Sequence, residues 1–139
     1  MITDKTKKWL ERVDYDLQTA DAMLNTGRYI YAIFMCQQAI EKVMKAFINN
    51  LGKDVFPIHN LRRLAENAGI IDDLTEEHLI KLDFLSQYYI SAKGWWASGS
   101  NARYKEDIAE LSKGITKNFS ADIIIFTKEL TKWIIQKMK

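Results

Sequence analysis

The sequence predicts an all-α fold, an up-and-down antiparallel bundle of four to five main helices with one short helix. Apolar residues recur at steps of three and four along several long segments, and no segment alternates between polar and apolar residues as a strand does. The single proline, Pro57, and the six glycines stand between those segments, where they end helices. The 139 residues, 47% of them hydrophobic, suffice for a single domain with its own core, residues 1–139.

The first two helices are predicted in residues 3–26 and 29–51. Apolar residues follow one side of the first helix from Trp9 to Leu24, and Gly27 ends it. The apolar residues of the second helix fall on one side when they are placed about 100° apart. This predicted core face consists of Tyr29, Ala32, Ile33, Cys36, Ile40, Val43 and Phe47.

A short helix and a third long helix are predicted in residues 61–67 and 74–93. Gly69 ends the short helix, as glycine commonly does. Thr75 is a suitable residue to cap the start of the long helix. A capping box would place an acid at the position that His78 occupies.

Residues 94–104 are predicted to form a loop, residues 105–113 a brief helix, and residues 117–137 the last helix. In the loop, Trp95 and Trp96 either dock onto the bundle or stack on a base or a partner. The apolar side of the last helix consists of Phe119, Ile123, Phe126, Leu130, Trp133 and Ile134.

A run of four apolar residues in the last helix predicts a homodimer. Residues 123–126 are consecutive, so they cannot all lie on one core face, and Ile124 and Ile125 are the ones expected outside it. Surplus apolar surface on a small domain usually marks an interface. Phe34, which stands among polar residues on the second helix, supports the same expectation.

A polar stripe lies opposite the core face of the second helix and consists of Phe34, Gln38, Glu41 and Lys45, with Gln37 and Lys42 at its edges. Glu41 and Lys45 are four residues apart in the order that favours an ion pair, worth about 0.2–0.5 kcal/mol. The stripe is either a solvated helix face or a functional surface that a ligand or partner covers. If it is neither, it is a buried polar network that holds helices together.

Composition and charge exclude few classes of function. The net charge of +2 is too small to indicate nucleic-acid binding, which stays open. The one cysteine, Cys36, allows no internal disulfide, which fits a reducing compartment. The N-terminus does not resemble a signal peptide and there is no apolar stretch of membrane-spanning length, so we expect a cytoplasmic protein without membrane contact.

The sequence shows no metal or cofactor motif. His59, His78 and Cys36 stand on different segments, and no glycine-rich phosphate loop is present. We therefore expect no metal, no cofactor and no catalytic residue, with Cys36 filling the core. His59 either packs at the start of the short helix or contributes to an anion site, whose other members would be Lys42, Arg62 and Arg63.

These segments resemble the HEPN domain family (higher eukaryotes and prokaryotes nucleotide-binding). The stretch GRYIYAIFMCQQAIEKVMKAF is similar to its most recognisable block, and Trp9 and Asp16 resemble its opening helix. HNLRRL, residues 59–64, resembles an H-x-L-x-x-L element through His59, Leu61 and Leu64. ARYKEDIAEL is similar to an Arg-Tyr-Pro stretch, carrying Arg103 and Tyr104, with lysine where proline is common. FTKELTKWI is similar to the closing helix, so the resemblance covers nearly the whole chain.

The resemblance implies a non-catalytic subunit that binds a nucleotide or a partner protein, is associated with a nucleotidyltransferase, and has a toxin–antitoxin-like or accessory role. Two alternatives stay open, a ribonuclease toxin with an atypical site and a pure protein-interaction module. Ribonuclease members carry an arginine followed four to six residues later by a histidine, and none of the arginines here precedes a histidine at that spacing. The expected ligand-binding or partner-binding residues are Gln38, Glu41, Lys42, Lys45, His59, Arg103 and Tyr104. The sequence names neither the nucleotide nor the partner.

Overall fold

The computed structural model describes the backbone of residues 2–98 and 113–139 and the side chains of residues 2–88 and 113–139. Within these ranges the regular structure is helical and no strand occurs, so the predicted all-α class is confirmed. The helices are α1, Asp4–Asn25; α2, Tyr29–Asn50; α3, Leu61–Ala68; α4, Glu76–Ser98; and α5, Lys117–Lys137. A 3₁₀ turn, Ile71–Asp73, stands between α3 and α4.

α1 and α2 form an antiparallel hairpin. The side chain of Thr3 caps α1 by accepting a hydrogen bond from the backbone N–H of Thr6. The Thr6 hydroxyl in turn donates to Asn49 Oδ1 at 2.9 Å, which joins the start of α1 to the end of α2. Between the two helices Gly27 has a φ of +78°, which is the left-handed conformation that glycine adopts without strain.

α2 is the central helix, because α1, α3, α4 and α5 all pack against it. Its predicted core face is confirmed from Ala32 to Val43, while Tyr29 and Phe47 are only partly buried. Burial also extends beyond that face, to Gln37, Ala39, Glu41, Met44, Lys45, Ala46 and Ile48. A helix covered on several sides has little room for a solvated face, and the central residues of the polar stripe are therefore buried as well.

The start of α4 carries a reciprocal cap in which His78 replaces the expected acid. The hydroxyl of Thr75 accepts a hydrogen bond from the backbone N–H of His78 at 3.1 Å. His78 Nδ1 accepts one from the backbone N–H of Thr75, also at 3.1 Å. The imidazole therefore satisfies the N–H that the glutamate of a capping box would satisfy.

α4 continues to Ser98, so the prediction that it ends at residue 93 is wrong, as is the predicted loop over residues 94–98. The glycine at position 94 weakens a helix by roughly 1 kcal/mol but does not prohibit one. Residues 99–112 lie outside the described part of the chain, and so do the side chains of Trp95 and Trp96. The brief helix predicted in residues 105–113 and the role of the two tryptophans stay predictions.

The apolar run of α5 is divided between the core and the surface. Ile123, Ile124 and Phe126 are buried, whereas 55% of Ile125 is exposed. The expectation that Ile124 leaves the core is wrong, because α5 packs against both α1 and α2 and so buries a wide face. Ile125 remains as the exposed residue on which the predicted homodimer depends.

None of the helices in the described part of the chain combines the length and the apolar character needed to span a bilayer.

Candidate functional site

The polar stripe forms a hydrogen-bonded network centred on Glu41. The carboxylate oxygen Oε1 accepts a hydrogen bond from Gln37 Nε2 at 3.0 Å and lies 3.1 Å from His59 Nδ1. The other oxygen, Oε2, accepts from Lys45 Nζ at 3.0 Å. Gln38 Nε2 donates to Gln37 Oε1 at 2.7 Å. We call these five residues, Gln37, Gln38, Glu41, Lys45 and His59, the Glu41 network.

The central members of this network lie inside the fold, so the prediction of a solvated helix face is wrong. Glu41 is 6% exposed, Lys45 is 7% exposed and Gln37 is fully buried. The connector before α3 covers them, because the backbone carbonyl of His59 accepts a hydrogen bond from Gln37 Nε2 at 3.3 Å. The stripe therefore matches the third interpretation, a buried polar network between helices.

His59 is the member of the network that reaches the surface, with 35% of its side chain exposed. Since a carboxylate only accepts, Nδ1 carries the proton in the contact with Glu41. The start of α3, directly after His59, is attached to α4 by two hydrogen bonds. The backbone N–H of Leu61 donates to Ser86 Oγ at 3.0 Å, and Ser86 Oγ donates to the carbonyl of Leu82. The histidine is thus held between α2 and the α3–α4 pair.

Lys42 lies at the edge of the stripe and joins α2 to α1. Its Nζ donates to Asp16 Oδ2 at 2.6 Å, and Asp16 is almost completely buried. About a fifth of the Lys42 side chain is exposed. This ion pair directs the lysine at α1, whereas His59 lies on the connector before α3.

Two members of the possible anion site, Lys42 and Arg62, are each paired with a carboxylate. Arg62 forms a two-point contact with Asp83 of α4, at 3.0 Å through Nε and 2.8 Å through its terminal nitrogen. That hydrogen bond raises the pKa of Arg62 and lowers the pKa of Asp83. Arg62 and Lys42 are therefore each held by a carboxylate of a different helix.

Cys36 is a core residue, as predicted. Burial raises the pKa of its thiol to about 12, and a hydrogen bond with Thr127 of α5 only partly offsets that rise. A protonated, buried thiol is a poor nucleophile. In the described part of the chain no three histidine, cysteine or acidic side chains are placed to hold a metal ion.

Arg103 and Tyr104 lie outside the described residues, so their place in the site stays a prediction. Sequence reasoning missed Gln37 as a network member, having placed it at the stripe's edge, and missed Asp16 as the partner of Lys42. A signal for Asp16 was present, because Val13, Asp16 and Ala20 share the apolar spacing of α1. A carboxylate at a core position predicts a buried cationic partner.

Comparison with known proteins identifies the fold. The family model of the HEPN domain matches residues 6–138. The crystal structure of TT1696 from Thermus thermophilus is similar, with a TM-score of 0.74 and 21% sequence identity over 97% of this chain and 99% of that one. The crystal structure of ST0689, described as an archaeal HEPN homologue, has a TM-score of 0.67 and 20% identity over 96% and 98% of the two chains. A comparison with curated proteins gave no match.

Proposed function

Because this chain belongs to the HEPN domain family, we propose that it is a non-catalytic subunit that binds a partner protein, a nucleotidyltransferase, in a toxin–antitoxin-like or accessory role. The link to a nucleotidyltransferase is supported by the family itself, because many HEPN members are encoded beside a small nucleotidyltransferase, and residues 27–47, Arg103 and Tyr104 resemble motifs of that family. Whether the subunit binds a protein or a nucleotide is a separate question, on which the ion pairs of Lys42 and Lys45 give evidence.

The pairing of Lys42 and Lys45 is the observation that favours a protein partner over a nucleotide. A triphosphate needs cationic donors for its oxygens. Lys42 donates to Asp16, and Lys45 donates to Glu41. If either lysine turned to a phosphate, it would leave a buried carboxylate without its cation, which is strongly unfavourable.

The same geometry supports a non-catalytic role. Both oxygens of Glu41 already accept hydrogen bonds, from Gln37 and from Lys45. A general base needs an accessible lone pair within reach of a substrate proton. Glu41 is buried and both of its oxygens are engaged, so its position suits the support of a binding surface.

The test uses the purified chain and a nucleotidyltransferase of the same genome, beginning with any that a neighbouring reading frame encodes. We expect a complex in size-exclusion chromatography with light scattering, and heat of binding when one protein is titrated into the other. Titration of the isolated chain with ATP and Mg²⁺ should give no binding isotherm. A chain that binds ATP alone and forms no complex would contradict the proposal.

One contact favours a second candidate, a ribonuclease with an atypical site. The distance of 3.1 Å between Glu41 Oε1 and His59 Nδ1 resembles the arrangement in which a carboxylate orients a histidine base. If His59 is such a base, His59→Gln should abolish RNA cleavage by the pure protein. His78→Gln is the matched control, because glutamine can replace the histidine in the cap of α4.

A further inference from the structure

An aromatic cleft lies between the start of α4 and the second half of α5. Its volume is about 260 Å³. We define it by the residues that line it: Asp73, Leu74, His78, Phe126, Glu129, Leu130 and Trp133. Neither the polar network nor the proposed function uses any of these residues.

The rings of the aromatic cleft already attract cations of this chain. Lys81 Nζ lies 5.0 Å from the centre of the Phe126 ring, and Lys137 Nζ lies 4.5 Å from the centre of the Trp133 ring. Both distances are within the roughly 6 Å over which a cation is attracted to an aromatic ring. His78 packs beside Phe126, with ring centres 5.9 Å apart, and extends the aromatic wall.

Two carboxylates stand at the cleft, and among the described residues one of them is paired with a cation while the other is not. Asp73 Oδ2 lies 3.3 Å from Lys137 Nζ. Within the described part of the chain, Glu129 makes no hydrogen bond or ion pair, although it lines the same cleft. An unpaired carboxylate beside aromatic rings is complementary to an incoming cation.

The size of the cleft and the shape of its walls select the kind of cation. A volume of about 260 Å³ is below the roughly 300 Å³ at which pockets for small-molecule ligands begin, so it suits one side chain. A guanidinium is planar, so it stacks on aromatic rings and binds a carboxylate through two hydrogen bonds. An ammonium is a compact charge that does neither as well. We propose that the aromatic cleft binds an arginine side chain on the surface of the partner protein, stacked on the rings and paired with Glu129. This inference rests on the proposed function, since it takes the partner to be a protein.

The probe for the first test is N-acetyl-arginine amide, with N-acetyl-citrulline amide as its uncharged isostere. We expect saturable NMR shifts of the indole N–H signal of Trp133. That signal is identified by its absence from the spectrum of Trp133→Phe. The citrulline probe should cause no such shift, and the corresponding lysine amide should bind more weakly. The absence of a saturable shift with arginine, or stronger binding of the lysine probe, would overturn the inference.

Two substitutions in the cleft should change its affinity for the arginine probe in opposite directions. Lys137→Ala removes a competing cation and should strengthen arginine binding by roughly two- to fivefold, whereas Glu129→Gln should weaken it by a similar factor. Lys132→Ala and Asp122→Asn remove the same charges from α5 outside the cleft and should change binding less. Equal effects of cleft and control variants would mean that net charge alone attracts the probe, which would overturn the inference.

A test on the complex separates this inference from the proposed function. Glu129→Lys should weaken the complex with the nucleotidyltransferase by at least about tenfold while the melting temperature stays near that of the parent chain. A complex of unchanged affinity would overturn the inference and leave the proposed function standing. Arginine binding without any complex would overturn the proposed function and support the chemistry assigned to the cleft.

Discussion

Lys45 donates a hydrogen bond of 3.0 Å to Glu41, one helical turn before it on α2, and less than a tenth of either side chain is exposed. An exposed pair at this spacing contributes little to stability. A buried pair differs, because both charges have left water and each now depends on the other. Gln37 and His59 supply the further hydrogen bonds that a buried carboxylate requires.

Glu41→Ala should lower the free energy of unfolding by about 3–5 kcal/mol, since it leaves Lys45 buried without its partner. The chain provides a matched control in Glu77 and Lys81, which form an exposed pair at the same spacing on α4. Glu77→Ala should cost less than about 0.5 kcal/mol. Urea denaturation followed by circular dichroism measures both, and equal losses would mean that the Glu41 network contributes nothing as a unit.

Adjacent residues of α5 should separate folding from dimerisation. Ile124 is buried, so Ile124→Glu should unfold the chain, whereas 55% of Ile125 is exposed and Ile125→Glu should leave it folded. If Ile125 lies in the predicted homodimer interface, Ile125→Glu should produce a folded monomer. Analytical ultracentrifugation at micromolar concentration decides this, and a monomeric parent chain would refute the predicted homodimer.

The helical periodicity of the sequence was sufficient for the fold, and it was insufficient for the site. Residues 29–51 were correctly predicted as a helix because apolar residues that recur with a period of 3.6 form one continuous face, and one such face is enough to identify a helix. The second covering surface of α2 comes from the connector at His59, and nothing local in α2 reports it. The glutamines and Glu41 were therefore placed on the surface, although their bonding partners lie within and beyond the helix.

Cys36 should react very slowly with thiol reagents while the chain is folded. Its pKa of about 12 leaves on the order of one thiol in ten thousand ionised at pH 8, and only the thiolate reacts. Since the folded-state pKa lies above the ordinary value of 9.0, the thiol's contribution to stability is complete below pH 9 and declines as the pH rises towards 12. Ellman's reagent should label the chain rapidly in guanidinium chloride, and rapid labelling of the folded chain at pH 8 would contradict the burial of Cys36.

The reciprocal cap of α4 predicts which substitutions His78 tolerates. His78→Glu should preserve stability, because glutamate completes the usual capping box with Thr75. His78→Leu removes the acceptor for the Thr75 N–H and should cost about 0.5–2 kcal/mol, as should Thr75→Ala. Thermal unfolding measures all three, and a His78→Leu variant as stable as the parent would show that the bond of 3.1 Å is dispensable.

Cys36 of α2 and Thr127 of α5 are both buried, and the two helices, which pack against each other, are separated by the 66 residues from 51 to 116. During translation at about 5–20 residues per second, the residues from 51 to 137 take roughly 4–17 seconds to synthesise, and α2 waits that long before the helix that covers this side of it is complete. Over that interval α2 can pair with α1, but the apolar residues around Cys36 remain open to solvent on the ribosome. The nascent chain should accordingly need protection from aggregation until residues 117–137 have emerged.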